Sequence, residues 1–313
     1  MEVAKKSGPA SDVRNALKTG IALLRDAQVS SFTLAAELLL LHVLGSNRAW
    51  LYAHPEEHLS DEQQGRFLAL VARRAAGEPV QHLTGHQEFW GLEFEVNRDV
   101  LIPRPETEHV IEVALDRLAL RELRSGRGPI AGGRGMLIAD VGTGSGCIAV
   151  SLAREFPEAR FYASDISEAA LAVARRNAER HGVSSRIEFS SSHLLGGGNA
   201  CAGPPRFDAI VSNPPYIGRR EAASLPGEVR DHEPAAALFG GEEGYELYGA
   251  LTREAAAQLK PGGLLVLELG HISLAAVQPL LAEPTWSYVN ITNDLAGIPR
   301  VIAAELARET QAQ

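Results

Sequence analysis

The feature that most constrains the fold is a regular alternation of apolar, strand-like runs with helix-like segments after residue 135. Strands are predicted at residues 136–141, 160–164, 186–190, 207–212, 264–269, 286–291 and 300–304, and helices at 147–156, 168–181 and 244–259. Strands that alternate with helices form a mostly parallel, doubly wound α/β sheet, here of seven strands. The last two strands are joined by a short loop near residues 293–299, so the last strand is predicted to run antiparallel.

Two further parts are predicted before this sheet. Residues 11–76 have helical periodicity, and Ser60-Asp61-Glu62-Gln63 matches a capping box that starts a helix. From residue 79 to 103 apolar residues partly alternate with polar ones, which is typical of a β-hairpin. We therefore expect a small helical domain over residues 1–78 that docks a partner, a β-hairpin linker over 79–103 and the α/β domain over 104–313. A glycine-rich linker is predicted over residues 125–135.

Composition restricts the class of protein. Of the 313 residues 45% are hydrophobic, and the net charge is -9. A net negative charge argues against a protein that binds nucleic acid through a broad basic surface. The two cysteines, Cys147 and Cys201, form neither a disulfide framework nor a metal set, which favours the reducing cytosol. No apolar run is long enough to cross a bilayer, so no membrane span is expected. Together with the cysteine usage, this predicts a cytoplasmic protein without a bound metal.

A glycine-rich turn follows the first predicted strand of the sheet. It reads Asp140-Val141-Gly142-Thr143-Gly144-Ser145-Gly146 and opens a helix. Glycine lets the backbone approach a ligand closely and tolerates positive φ. Cys147 stands where a dinucleotide-binding fingerprint would have its third glycine, which weakens a nicotinamide interpretation. Asp165 ends the second strand, where a carboxylate can accept hydrogen bonds from the hydroxyls of a ribose. Together they predict a nucleoside ligand, with Ser192 and His193 flanking its base.

The tetrapeptide Asn213-Pro214-Pro215-Tyr216 follows the fourth predicted strand of the sheet. Ligands of open α/β sheets bind at such carboxyl ends. The two prolines fix φ and make the turn rigid. The Asn213 side-chain oxygen and the Pro214 carbonyl could then accept both hydrogens of one NH2 group, with the Tyr216 ring as a wall. A simple proline-rich turn is the structural alternative.

These motifs resemble those of known proteins. The glycine turn resembles the first motif of class I S-adenosylmethionine-dependent methyltransferases, and Asn213 to Tyr216 resemble the motif of those that methylate amino or amide nitrogen. The segments 83–91 and 102–108, with the helical amino-terminal part, resemble the PrmC/HemK family, the release factor glutamine methyltransferases, over nearly the whole chain. In the segment 102–108, the acidic residues could simply cap the following helix, or Arg104 could border the active site.

The resemblance implies a reaction and a set of site residues. The reaction is methyl transfer from S-adenosylmethionine to the side-chain amide nitrogen of the glutamine in the Gly-Gly-Gln motif of peptide chain release factors. It implies Asn213, Pro214 and Tyr216 as catalytic residues. It implies cofactor contacts from Asp140, Val141, Gly142, Thr143, Gly144, Asp165, His193 and Asn213, and substrate contacts from Arg104 and Asn213 to Tyr216. Ser192 stands where an acid often contacts the adenine amino group. A monomer is expected.

Two other functions stay open at this point. The first is methylation of an adenine or cytosine amino group in DNA or RNA, which uses a similar tetrapeptide on a flipped base. The acidic charge balance and the absence of an obvious basic target-recognition region count against it. The second is an inactive cofactor-binding scaffold, against which the intact Asn213 tetrapeptide counts.

Overall fold

The computed structural model describes residues 11–124, 133–196 and 206–308. Cys201 and most of the predicted glycine-rich linker lie outside the described residues. The described chain divides into two compact units. The smaller unit contains the residues up to His86 together with Pro226–His232, and the larger unit contains Gln87–Leu225 and Glu233–Gln313. The hairpin predicted as a separate linker thus belongs largely to the larger unit, and a short later segment joins the smaller one.

The smaller unit is helical, as predicted. Its helices are α1 (Val13–Asp26), α2 (Phe32–Leu44), α3 (Arg48–Ala53), α4 (Asp61–Ala75) and α5 (Val80–Thr84). The predicted capping box is present, because Ser60 and Gln63 each accept a hydrogen bond from the backbone N–H of the other. Buried Leu24, Leu39 and Phe67 lie in its hydrophobic core. Helix α5 corrects the prediction that residues 79–85 belong to a β-hairpin.

The larger unit begins with a short β-hairpin and a connecting segment. The hairpin strands are β1 (His86–Phe89) and β2 (Leu92–Glu95), a shorter pairing than the predicted span of residues 79–103. The chain then makes a single 3-10 turn over Pro105–Thr107 and enters helix α6 (Glu108–Arg124). The sequence leaves two interpretations of this segment: its acidic residues cap the helix, or Arg104 borders the active site. Their actual contacts are described with the site.

The central sheet has seven strands. They are β3 (Leu137–Val141), β4 (Arg160–Asp165), β5 (Ile187–Ser191), β6 (Phe207–Ser212), β9 (Leu259–Glu268), β10 (Trp286–Asn293) and β11 (Pro299–Leu306). Their order is β10-β11-β9-β6-β3-β4-β5. The pairs from β9 to β5 are parallel, whereas β11 is antiparallel to both β9 and β10. This confirms the predicted doubly wound sheet and its antiparallel last strand.

Helices cover both faces of this sheet. They are α6, α7 (Cys147–Glu155), α8 (Glu168–Arg180), α11 (Glu246–Gln258) and α12 (Leu274–Val277). Side chains of successive residues in β3 alternate between the two cores: Ile138 packs on one side, and Ala139 and Val141 on the other. Strand β9 begins at Leu259, five residues before the predicted start, and an irregularity in its pairing with β6 accommodates the early start. None of the helices in the described ranges is both long and apolar enough to cross a membrane.

An excursion separates β6 from α11. It contains β7 (Ile217–Gly218), α9 (Gly227–Arg230), α10 (Ala235–Leu238) and β8 (Phe239–Gly241), with β7 parallel to β8. Arg74 and Glu228, both in the smaller unit, form an ion pair. The strand order reverses between β3 and β6, which are adjacent in the sheet although β4 and β5 lie between them in sequence. Such a switch point opens a crevice at the carboxyl ends of the strands.

Candidate active site

A cavity of about 260 Å³ lies at these carboxyl ends, in the larger unit. Eight of the predicted site residues line it: Val141, Gly142, Gly144, Asp165, His193, Asn213, Pro214 and Pro215. The structure therefore brings the glycine turn, the ribose-binding candidate and most of the tetrapeptide together. Its volume approaches the lower end of the range of small-molecule pockets. The other four, Asp140, Thr143, Arg104 and Tyr216, do not line the cavity.

The glycine turn exposes its backbone to the cavity. Gly142 and Gly144 have φ values of +72° and +54°, and a Cβ added at either residue would project into open space. Side chains at these two positions would therefore be strained and would fill part of the site. The turn is anchored from behind, because the N–H groups of Gly142 and Thr143 donate to the Ser164 carbonyl at 2.8 and 2.9 Å.

Asp140 lies behind this turn and is fully buried. Its Oδ2 accepts hydrogen bonds from Thr143 Oγ1 (2.6 Å) and from the Ala149 N–H (3.1 Å), which joins the turn to helix α7. Burial raises the pKa of Asp140 to about 7, although these hydrogen bonds act in the opposite direction. The contribution of Asp140 and Thr143 to the site is thus to hold the shape of the loop.

Asp165 lies at the end of β4 and is half-buried at the cavity wall. Its Oδ2 accepts from the Gly144 N–H and its Oδ1 from the Ser167 N–H, both at 2.9 Å. A carboxylate oxygen has two lone-pair sites, so each oxygen keeps one for a ligand hydroxyl. The backbone therefore fixes the carboxylate in place while leaving it able to accept two more hydrogen bonds.

The wall near His193 is built by a strained turn after β5. Leu194 has a φ of +52°, and its carbonyl accepts hydrogen bonds from Ser164 Oγ (2.7 Å) and Ser192 Oγ (3.2 Å). The Ser192 hydroxyl proton is thus directed at the backbone. Ile166 also lines the cavity and is 63% exposed. Ile166 and Leu194 offer apolar surface that a flat base could contact.

The tetrapeptide follows the last residue of β6. Ser212 Oγ donates to the Val141 carbonyl at 2.7 Å, which ties the ends of β6 and β3 together. Asn213 Nδ2 donates to Thr107 Oγ1 at 3.1 Å. Gly240 in β8 packs so closely that a Cβ there would collide with the Pro215 carbonyl oxygen. The prolines and their neighbours therefore hold Asn213 at the cavity edge in a single backbone conformation.

Tyr216 packs against the end of β9 and does not line the cavity. A Cβ at Gly270 would lie 2.9 Å from its ring, so only glycine allows this contact. The Tyr216 hydroxyl is 3.4 Å from Oε1 of Glu268, a carboxylate that is 1% exposed. Burial raises the pKa of Tyr216 well above its usual range and the pKa of Glu268 to about 7. The neutral phenol is therefore the form of Tyr216 near neutral pH.

Arg104 is held away from the cavity by an ion pair. Its Nη2 contacts Oε1 of Glu233, whose side chain is 1% exposed, and Glu233 Oε2 also accepts from the Ile102 N–H at 3.3 Å. Glu108 does not act as a simple helix cap, because its Oε1 accepts from the Trp90 N–H of the hairpin at 2.8 Å. The segment before α6 is thus tied to two other parts of the larger unit.

Sequence reasoning missed part of the cavity wall. Residues Asp99, Val100 and Leu101, between the hairpin and α6, line it, as do Pro234, Ala236, Ala237 and Leu247 from the excursion after β6 and from α11. No local pattern marks them. The one available signal was their neighbourhood, since the first group directly precedes the segment 102–108 and the second follows the tetrapeptide.

Comparisons with known proteins agree with this geometry. Residues 15–85 match the model of the PrmC N-terminal domain, and residues 130–225 match the methyltransferase small domain. The catalytic domain of hMettl16, solved in complex with an RNA hairpin, has the same fold: it is 17% identical, with a TM-score of 0.52, and the match covers 78% of this chain and 84% of that one.

Two relatives are similar over most of the chain. The release factor glutamine methyltransferase of Koribacter versatilis is 42% identical over 290 residues, which cover 93% of this chain and 97% of the relative. That of Chlorobaculum tepidum is 43% identical over 284 residues, which cover 91% and 94%. Because identity of this level extends over both units, the chain belongs to the release factor glutamine methyltransferase family.

Proposed function

We propose that this protein transfers a methyl group from S-adenosylmethionine to the side-chain amide nitrogen of a glutamine in a peptide chain release factor. The observation that carries the proposal is that Asn213, Pro214 and Pro215 line the same cavity as the glycine turn and Asp165. A group that can hold an NH2 thus lies beside groups suited to a nucleoside. The choice of a release factor glutamine as the substrate comes from the relatives, which are named release factor glutamine methyltransferases.

The residues present fit S-adenosylmethionine. Gly142 and Gly144 leave room for close backbone approach, and Asp165 keeps free lone pairs for the ribose hydroxyls. Ile166 and Leu194 can contact the adenine, with His193 beside them. When bound, the cofactor supplies an electrophilic methyl carbon. Because the Ser192 hydroxyl is directed at a carbonyl, we expect adenine recognition to depend on apolar contacts and backbone groups.

The tetrapeptide must orient a poor nucleophile. The lone pair of an amide nitrogen is delocalised into its carbonyl, so positioning matters more than deprotonation. The Asn213 Oδ1 and the Pro214 carbonyl can accept one amide hydrogen each. As the nitrogen forms its new bond it becomes positive, and both hydrogen bonds strengthen, which lowers the energy of the transition state relative to the bound substrate. The extra proton can leave afterwards without a dedicated base.

The smaller unit is proposed to dock the release factor. It supplies none of the residues that line the cavity. Leu34 and Leu38 of α2 are 44% and 37% exposed, one turn apart on the helix, and offer apolar surface to a protein partner. The absence of direct nucleic-acid binding and the monomeric state stay predictions.

Radiolabelled methyl transfer tests this function. The protein is incubated with labelled S-adenosylmethionine and either purified release factor, the same factor with its Gly-Gly-Gln glutamine replaced, or DNA and RNA. We expect label in the intact factor alone. Label in nucleic acid would favour an amino-methyltransferase of bases, and no transfer to any acceptor in a single turnover would favour the inactive scaffold. Either result would overturn the proposal.

A further inference from the structure

The segment between the hairpin and α6 places the Thr107 side chain against Asn213 and is anchored at both ends. The ion pair of Arg104 with the buried Glu233 anchors its beginning, and the bond from the Trp90 N–H to Glu108 anchors its end. Between them the Thr107 N–H donates to the Arg104 carbonyl at 3.0 Å and closes the 3-10 turn. Thr107 is only 2% exposed. Its hydroxyl is therefore fixed in space by contacts at both ends of the turn.

The Thr107 hydroxyl determines whether Asn213 presents its amide oxygen or its NH2 group to the substrate. An amide has a donating NH2 and an accepting oxygen, and the torsion that exchanges them has a broad, roughly two-fold preference. Asn213 Nδ2 donates to Thr107 Oγ1 at 3.1 Å, so Oδ1 lies on the other branch of the amide. A flipped Asn213 would present hydrogens where the proposed reaction needs an acceptor for a substrate N–H.

Thr107 needs an acceptor for its own proton if its oxygen is to receive the Asn213 N–H. The candidate is Glu268, at the end of β9. Its side chain is 1% exposed, and its Oε2 is buried without a hydrogen-bond partner among the described residues. The Thr107 side chain lowers the pKa of Glu268 against the larger, opposing effect of burial, so the Thr107 hydroxyl lies near this carboxylate. The Tyr216 hydroxyl contributes a second donor to the same carboxylate at 3.4 Å. An ionised carboxylate only accepts, so it draws the Thr107 proton and leaves the Thr107 oxygen to receive the Asn213 N–H.

We propose that Thr107 and Glu268 are positioning residues that lock the Asn213 amide with its oxygen toward the substrate amide. The inference rests on the proposed function, because only an acceptor role of Asn213 makes this orientation matter. Neither residue lines the cavity. Their effect is exerted through Asn213, so they act on the rate of methyl transfer and leave the cofactor contacts unchanged.

Substitutions at Thr107 separate this role from packing. Thr107→Val keeps the shape and removes the hydroxyl, so kcat for release factor methylation should fall by about tenfold, the factor that corresponds to one net hydrogen bond. The dissociation constant of S-adenosylmethionine should stay within about twofold of wild type, since no cofactor-facing group changes. Thr107→Ser keeps the hydroxyl and should retain most of kcat. Thr107→Cys, a weak acceptor, replaces the valine variant if that protein does not fold.

A double variant tests the connection with Glu268. Glu268→Met removes the acceptor of the Thr107 proton and should lower kcat by a similar factor. If the two residues act as one unit, Thr107→Val combined with Glu268→Met lowers kcat no further than either change alone. Independent effects that multiply would overturn the connection.

Two results at Thr107 would overturn the proposal while leaving the function intact. The first is a folded Thr107→Val or Thr107→Cys protein with wild-type kcat. The second is a serine variant as slow as the valine variant, which would assign the effect to the lost methyl group. Failure of the wild-type protein itself to methylate release factor would instead refute the proposed function, and with it this inference.

Discussion

Replacing Asp140 by Asn should remove a loss of stability that the wild-type protein suffers as the pH rises. The Asp140 carboxyl is fully buried, and burial raises its pKa from 3.8 to about 7. Its Oδ1 is buried without a hydrogen-bond partner among the described residues, whereas Oδ2 accepts from Thr143 and Ala149. The Asn amide oxygen can take the place of Oδ2, with the NH2 where Oδ1 lies. The loop should therefore keep its shape.

The sign and size of the effect follow from proton linkage. Because the folded-state pKa lies above the unfolded one, the native protein binds more protons than the unfolded chain between about pH 4 and pH 7, and its stability falls as pH rises through this window. A shift of about three units corresponds to roughly 4 kcal/mol in total, at about 1.4 kcal/mol per unit. The Asn variant lacks this loss, so its advantage over wild type should grow by about 3 kcal/mol between about pH 5 and pH 8.

Urea unfolding at several pH values measures this difference. Trp90 and Trp286 lie in the larger unit and Trp50 in the smaller one, so a Trp50→Phe background confines the fluorescence signal to the larger unit. Glu158→Gln is the matched control. Glu158 is exposed, and its pKa is lowered by a hydrogen bond from Arg134, so removing this carboxylate should give at most a small change of opposite sign. If the free-energy difference between Asp140→Asn and wild type were constant over this pH range, the linkage argument would be wrong.

Three further outcomes are expected. Asp165→Ala should weaken S-adenosylmethionine binding in calorimetric titration by about 1.5–3 kcal/mol, the cost of losing charge-assisted hydrogen bonds, and an unchanged affinity would refute the ribose role. Asn213→Ala should lower kcat by about 10²–10³ with little change in cofactor affinity, whereas a well-folded variant with near-normal kcat would make Asn213 only a turn residue. Deleting residues 1–78 should raise KM for intact release factor without changing cofactor affinity, and a folded truncated protein with full efficiency would exclude docking.

The strands and the two main motifs could be predicted because their signals are local. Each strand of the sheet is an apolar run of ordinary length, and the glycine turn and the tetrapeptide directly follow β3 and β6. Parallel topology then places both motifs at one edge of the sheet. The early start of β9 was missed because Pro261, Gly262 and Gly263 interrupt its pattern. Helix α5 was missed because residues 79–103 were all assigned to the β-hairpin, although Pro79 stands where a proline can begin a helix.

The supporting contacts could not be predicted, since they join residues that are distant in sequence. Thr107 and Asn213 are 106 positions apart, and Arg104 and Glu233 are 129 apart. No propensity or period connects such pairs. The segment that contains Arg104 and Thr107 was recognised only by resemblance. The pairing of Arg104 with Glu233 depends on how the excursion after β6 packs, which the sequence does not reveal.

The polar groups at the carboxyl ends of the strands divide by burial into two kinds. Asp165 and Asn213, at the ends of β4 and β6, are half-buried and line the cavity. Asp140 and Glu268, near the ends of β3 and β9, are buried, and burial raises the pKa of each to about 7. A group that must meet a ligand needs free lone pairs, whereas a buried carboxyl is tolerated only when it accepts internal hydrogen bonds. We therefore expect the buried pair to orient the glycine turn and the tetrapeptide, and the half-buried pair to contact cofactor and substrate.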